Sequence, residues 1–237
     1  MIPLYKALFF DRICFVVVIP QENKTPNFNI GTFAGALLLR DALLRRLKNI
    51  KKDEKMTDKI FSALRFATNA HSGQYRKSTK IPYIVHPVQV MQYLIQYGAS
   101  DDAVAAGILH DTLEDTPVTE SDLRKNFGDR ITDLVIGASE PDKSLSWEKR
   151  KEHTLNTLQQ LTDTEQLMVI CADKLSNISS IASDLKTQGE KVWTRFNRGY
   201  EQQKWYYCGL AEIFAKHAKT SQLFQEYIQK TRHVFCK

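Results

Sequence analysis

The sequence predicts an all-α body running from Met56 almost to the C-terminus. Three observations carry this reading. Apolar residues recur three and four apart in nearly every segment, as they do along one face of a helix. Alternating apolar and polar runs bounded by turn residues, the mark of strands, are absent from this region. Ser, Thr or Pro stands where many of the periodic stretches begin, and Gly or Pro where several of them stop.

The elements follow in chain order. Thr57 can cap a first helix reaching about His71, with Ile60, Phe61, Leu64 and Ala67 on one face. A polar loop runs from Ser72 to Pro82. Pro87 suits the first turn of a second helix, which carries Val90, Met91, Leu94 and Ile95 and stops at Gly98. Ser100 opens a third helix through Ala103, Ala106, Leu109 and Leu113, ended by Pro117. Thr119 and Asp122 have the spacing of a capping box ahead of a short helix that stops at Gly128. Further helices are predicted over 130–139, 146–161, 163–186, 190–217 and 221–234.

Composition narrows the class. A chain of 237 residues, 43% apolar and 25% charged, can bury a full core and is not broadly disordered. Cys14, Cys171, Cys208 and Cys236 are scattered and form no CxxC pair, which argues against a disulfide framework or a zinc ribbon and suits a reducing cytosol. The net charge is +6, but residues 1–55 hold ten basic and five acidic side chains, leaving 23 against 22 in the rest. The body is therefore nearly neutral and does not read as a nucleic-acid binder. Residues 1–21 are apolar in patches, but Asp11 and Arg12 interrupt them, so they fit neither a signal peptide nor a membrane span of about 20 apolar residues. Residues 34–48 have the pattern of an amphipathic helix. A packing appendage, or sequence upstream of a natural start at Met56, is favoured over a membrane-surface helix.

The strongest chemical signal is Ile108-Leu109-His110-Asp111-Thr112-Leu113-Glu114-Asp115-Thr116. On a continuous helix, His110 would sit above Glu114 and Asp111 above Asp115. Packing does not require four ionisable groups on one stripe, and three neighbouring carboxylates repel unless a cation or donors compensate. A His-Asp pair can give one nitrogen and one oxygen ligand to a metal ion. Further ligands must come from elsewhere. His86, just before Pro87, is one candidate, and Asp173, an acid inside an apolar helical run with Asn177 one turn on, is another. Singly each has a bland reading: His86 as a hydrogen-bonding residue, Asp173 as a partner of Lys174, Arg76 and Lys77 as a solvated loop.

Together, the segments Ala70-His71-Ser72-Gly73-Gln74-Tyr75-Arg76-Lys77, Pro82-Tyr83-Ile84-Val85-His86-Pro87, His110-Asp111-Thr112-Leu113-Glu114-Asp115-Thr116 and Ala172-Asp173-Lys174-Leu175-Ser176-Asn177 resemble, in order, the motifs of the HD-type hydrolase domain of the RelA/SpoT proteins, most of all the small alarmone hydrolases. The resemblance implies an all-helical HD bundle with a metal site in its core. It implies Mn²⁺ held by His86, His110, Asp111 and Asp173, with Glu114 and Asp115 as the catalytic acid pair. Arg76, Lys77 and Ser78 match the nucleotide-contacting loop, and Tyr83, Asn177 and Ser180 match positions near ribose and base. The implied reaction removes pyrophosphate from the 3′ position of guanosine tetra- or pentaphosphate, leaving GDP or GTP, in the cytoplasm. The implied organisation is an extension over 1–55, the phosphohydrolase domain over 56–219 and a C-terminal helix over 220–237. The implied partner is a small-molecule nucleotide, without nucleic acid or an integral membrane segment, and the oligomeric state is left open.

Two departures from the family pattern border the nucleotide pocket. The usual Arg-Lys-Ser-Gly-Glu-Pro-Tyr becomes Arg76-Lys77-Ser78-Thr79-Lys80-Ile81-Pro82-Tyr83, one residue longer and without the acid. Ser176-Asn177-Ile178-Ser179 stands where the family often has His-Asn-Met-Arg, with the loss of a basic group. Another HD phosphohydrolase activity, on an adenosine alarmone, a 2′-phosphorylated dinucleotide or a nucleoside phosphate, is the first rival reading. A nucleotide-binding regulator without turnover is the second. No synthetase domain follows in this sequence, so synthesis of the alarmone is not expected.

Overall fold

A computed structural model of the chain describes residues 6–10, 13–17, 58–77, 79–140 and 144–236. The sequence-predicted helix over 34–48, the Thr57 cap and Ser78 lie outside these residues. The chain divides into two compact units, Met1–Lys51 and Lys52–Lys237. In the first, Lys6–Phe10 (β1) and Ile13–Val17 (β2) pair antiparallel, with Lys6 opposite Val17 and Phe10 opposite Ile13. Phe9 and Phe10 in β1 and Ile13, Phe15, Val16 and Val17 in β2 are of the residue types that favour a pleated backbone.

The second unit is all-α, as the apolar periodicity requires. Its helices are α1 (58–70), α2 (Val85–Gln96), α3 (Asp101–Leu109), α4 (Thr112–Asp115), α5 (Glu120–Ala138), α6 (Trp147–Gln160), α7 (Thr164–Gln188), α8 (Tyr200–Lys216) and α9 (Gln222–Phe235). A 3₁₀ turn, Gly189–Arg195, joins α7 to the segment before α8. No helix among the described residues is long and apolar enough to cross a membrane.

The starts and stops have identifiable causes. Ser100 accepts the Ala103 N–H at 3.2 Å, and Asp101 and Asp102 place negative charge at the positive end of α3. Thr119 and Asp122 form a reciprocal capping box on α5. Asp163 accepts the N–H groups of Glu165 and Gln166 to start α7. Gly98, just past α2, has φ +71°, a conformation that glycine adopts without strain. Gly128 has φ +79° and kinks α5 where the sequence reading places a break between two helices.

Two sequence expectations are corrected. The single helix predicted from Ser100 to Pro117 is two, α3 and α4, broken at His110-Asp111. There the side chains of His110 and Thr112 bond the carbonyls of Gly107 and Leu109, at 2.8 and 2.7 Å, competing with the helical ladder. The helix predicted over 190–217 is interrupted as well. The turn residues Asn197-Arg198-Gly199 separate the 3₁₀ segment from α8, which starts at Tyr200.

Helix α7 is the axle of the bundle and packs against α2, α3, α5 and α9. Helix α3 is buried from Ala103 to Leu109, and its small residues let α2 approach closely. A Cβ on Gly107 would lie 2.3 Å from Leu94 Cδ1 and 3.1 Å from Val90 Cγ1, and both neighbours are fully buried. Overpacking a core of this density costs about 1–3 kcal/mol. Gly107→Val is therefore expected to destabilise the protein by about that amount, read as a lower denaturation midpoint in urea; an unchanged midpoint would show that α2 and α3 are not in close contact.

Candidate metal centre

Four side chains from three elements meet at one point. His86 comes from the first turn of α2, His110 and Asp111 from the break between α3 and α4, and Asp173 from the middle of α7. His86 Nε2 and His110 Nε2 are 3.2 Å apart. Asp173 Oδ1 lies 3.1 Å from His86 Nε2 and 3.6 Å from His110 Nε2. Asp111 Oδ2 lies 3.5 and 3.0 Å from the same two nitrogens. Ligand atoms of His86, His110 and Asp173 all fall within 4.8 Å of one another, and all three residues are buried.

Hydrogen bonds behind the rings fix the tautomers. His110 Nδ1–H donates to the Gly107 carbonyl at 2.8 Å. Ser176 Oγ donates its hydrogen to Gln89 Oε1 at 2.8 Å, so at 2.8 Å from His86 Nδ1 it accepts that ring's N–H. In the neutral rings both Nε2 atoms then carry lone pairs, and these face each other between two carboxylates. Such an arrangement repels itself unless a positive charge sits among the four atoms. Two imidazole nitrogens and two carboxylate oxygens form a donor set that fits a divalent first-row cation, and outer hydrogen bonds of this kind are how ligating histidines are oriented.

The electrostatics point the same way. Burial works to depress both imidazoles, and His86 is lowered, but Asp111 and Asp173 hold His110 well above the usual histidine range. Burial would raise both aspartates. His110 overrides this for Asp111, and Lys174, then the two histidines, for Asp173, so both carboxyls stay ionised far into acid. A cation thus competes with a proton at His110. Asp173 divides its oxygens: Oδ1 faces the histidines and accepts Asn177 Nδ2 at 2.6 Å, while Oδ2 takes Lys174 Nζ at 2.6 Å.

The remaining sequence-predicted residues fall into three places. Tyr83 donates its hydroxyl to Asp111 Oδ2 at 2.6 Å. Arg76 lies 5.6 Å from the Tyr83 ring centre and donates to Asn177 Oδ1 at 2.9 Å. Arg76, Lys77, Tyr83, His86, Asn177 and Ser180 all line one cavity of about 430 Å³ beside the cluster. The 74–83 loop is held in place by the Arg76–Ile81 and Tyr83–Gln74 backbone bonds and by Gln74 Nε2, which donates to the Asp115 carbonyl. Glu114 points elsewhere, its Oε1 accepting the Glu140 N–H at 2.8 Å. Burial and the nearby Asp111 charge raise its pKa against the opposing Glu140 hydrogen bond. Asp115 is exposed. The stripe of four groups expected from one continuous helix is therefore replaced: the break turns His110 and Asp111 into the cluster and leaves Glu114 beside it.

Sequence reasoning missed several cavity residues. Asp184, Arg195, Phe196 and Tyr207 also line it. Asp184 lies seven residues beyond Asn177 on α7, a helical repeat that the sequence displays. The sequence offers Arg195, with Trp193, Asn197 and Arg198, as a residue of a later helix near the pocket but favours an ordinary surface and core role, which the cavity lining corrects for Arg195. Phe196 had no local signal, because an irregular segment carries it. Trp193 is buried, and Arg198 pairs with Glu148. Cys171 is fully buried.

The chain belongs to the HD domain family, whose model matches residues 63–199. It is 32% identical over 158 residues to a guanosine-3′,5′-bis(diphosphate) 3′-pyrophosphohydrolase of Borreliella burgdorferi, covering 65% of this chain and 23% of that protein. It spans between 16% and 23% of the length of the curated relatives it matches. The crystal structure of the lmo0812 protein from Listeria monocytogenes EGD-e is similar at 38% identity and a TM-score of 0.60, over 64% of this chain and 99% of that one. The same fold occurs in a metazoan ortholog of SpoT that hydrolyzes ppGpp, at 23% identity and a TM-score of 0.60, over 74% of this chain and 94% of that one.

The facing lone pairs predict that divalent cation raises the melting temperature, because it binds the folded state alone. The rise should shrink as pH falls, since protons hold His110 more strongly in acid. Asp173→Ala and His86→Ala should abolish it. Equal shifts in wild type and both variants would place the cation elsewhere.

Proposed function

We propose that this chain is a metal-dependent phosphohydrolase that removes the 3′-pyrophosphate from guanosine 3′,5′-bis(diphosphate) or its pentaphosphate, yielding GDP or GTP. The observation that supports it most is the junction of two surfaces: His86 of the His86, His110, Asp111 and Asp173 cluster lines a cavity walled by Arg76, Lys77, Tyr83 and Asn177. In this reading those four cluster residues hold Mn²⁺. The ion supplies Lewis-acid chemistry, acidifying water and offsetting charge on phosphoryl oxygens.

The protein's own groups then have distinct tasks. Arg76 presents a planar guanidinium for stacking on a base or gripping phosphate, and its bond to Asn177 ties it to the Asp173 helix. Lys77 and Ser78 contact the polyanionic substrate, and Tyr83 and Ser180 shape the ribose and base end. Glu114 accepts the proton of the attacking water, with Asp115 as its acid partner; burial has already raised its affinity for that proton. Water oxygen bonds to the phosphorus attached at the 3′ oxygen, the phosphorus–3′-oxygen bond breaks, and the 3′ oxygen leaves with a proton. Nucleotide is the proposed partner, and the cytoplasm the proposed location, which suits free Cys171, Cys208 and Cys236.

The Mn²⁺-loaded wild type is expected to release pyrophosphate from guanosine tetraphosphate. Glu114→Gln should lower kcat by about 10²–10⁴-fold, the usual worth of a general base. Asp111→Ala should abolish both release and Mn²⁺ binding, and Arg76→Ala should chiefly raise KM. Orthophosphate as the product, or no release with metal bound, would contradict the proposal.

A further inference from the structure

Next to Glu114 lies a partly buried ionic arrangement with no role in the chemistry above. Glu140 follows the end of α5, and its side chain is largely buried. One carboxylate oxygen takes Lys151 Nζ and the other takes Arg150 Nη1 at 2.9 Å. Arg150 and Lys151 are consecutive on α6, so their side chains diverge by about 100° and meet only on an acceptor held between them. The Lys151 ammonium also lies 4.9 Å from the centre of the Tyr206 ring, on α8. Two side chains of α6, one of them packed against an α8 ring, thus hold one glutamate.

Burying such a set is expensive, and a well-packed apolar replacement is often at least as stable. Stability alone does not account for it. What the clamp fixes is the position of Glu140, and the Glu140 backbone N–H is the donor on Glu114 Oε1. Ser139, immediately before, is anchored from the other side by Oγ and N–H bonds to the Val135 carbonyl at 2.9 and 3.1 Å. Glu114 stands in the repulsive field of Asp111, which pushes its carboxylate away from the cluster. The Glu140 N–H fixes the place of one oxygen of that carboxylate.

We infer that Lys151 and Arg150 are positioning residues: through Glu140 they set the place of the Glu114 carboxylate. The inference rests on the proposed base role of Glu114. A displacement of about 1 Å at such a group can cost 10²-fold in rate. Lys151→Gln in the full chain, loaded with Mn²⁺, is therefore expected to lower kcat by about 10- to 100-fold, leave KM for guanosine tetraphosphate within about twofold, and keep the Mn²⁺-dependent rise in melting temperature. Lys151→Arg, which keeps the charge, should recover most of kcat. The decisive readout is a double-mutant cycle. In a Glu114→Gln background, Lys151→Gln should cost nothing further, because the group it positions is gone. Glu140→Gln, which keeps the shape of the clamp and weakens its charge, repeats the test if Lys151→Gln folds poorly. A full additive loss in the Glu114→Gln background, or unchanged kcat in Lys151→Gln, would overturn the inference alone. A wild type that binds Mn²⁺ yet releases no pyrophosphate would overturn the reading of the site first, and the inference with it.

Discussion

Two imidazole lone pairs aimed at each other, with a carboxylate on either side, form the constraint on which the rest of the structure depends. Left to themselves these four groups repel or trap a proton. They are held in place by hydrogen bonds behind both rings and on both carboxylates. The Nδ1 atoms are spent on Gly107 and Ser176, and the remaining carboxylate bonds on Tyr83, Asn177 and Lys174. The bonds at Nδ1 leave the Nε2 lone pairs facing inward.

The helices are arranged to maintain that geometry. Helix α3 is lined with Ala and Gly so that α2, bearing His86, can approach it. The break after Leu109 turns His110 and Asp111 out of the helical ladder toward the cluster. Helix α7 brings Asp173 through the apolar core, an exposure to desolvation that Lys174 offsets from one side and the histidines from the other. Asn177, one turn on, connects the cluster to the loop carrying Arg76, so the cavity and the four-residue cluster share one element.

Much of this was legible in the sequence, for definite reasons. The apolar spacing of Val90, Leu94, Leu109 and Leu175 records burial directly, so the helices and the core could be read. Asp173 stood out as an acid inside an apolar helical run, His110-Asp111 as part of a crowded ionisable stripe and His86 as a side chain just before a helix, while the resemblance joined the four into one set. Less legible was what depends on side chains bonding backbone. The split at His110-Asp111 arises from Thr112 and His110 capturing carbonyls, which periodicity does not encode. Arg195 and Phe196 reach the cavity from an irregular segment, and the link from Lys151 through Glu140 to Glu114 joins residues with no common spacing. The β1–β2 pairing was overlooked because an apolar stretch of five residues has no period that distinguishes it from a buried helix fragment.

The central claim is that His86, His110, Asp111 and Asp173 enclose one cation. Crystals grown with Mn²⁺ and measured on both sides of the manganese absorption edge test it most directly. The account predicts a single anomalous peak within bonding distance of both Nε2 atoms and both carboxylates, absent from crystals of Asp173→Ala. A peak at another site, or none under Mn²⁺ concentrations that raise the melting temperature, would contradict it.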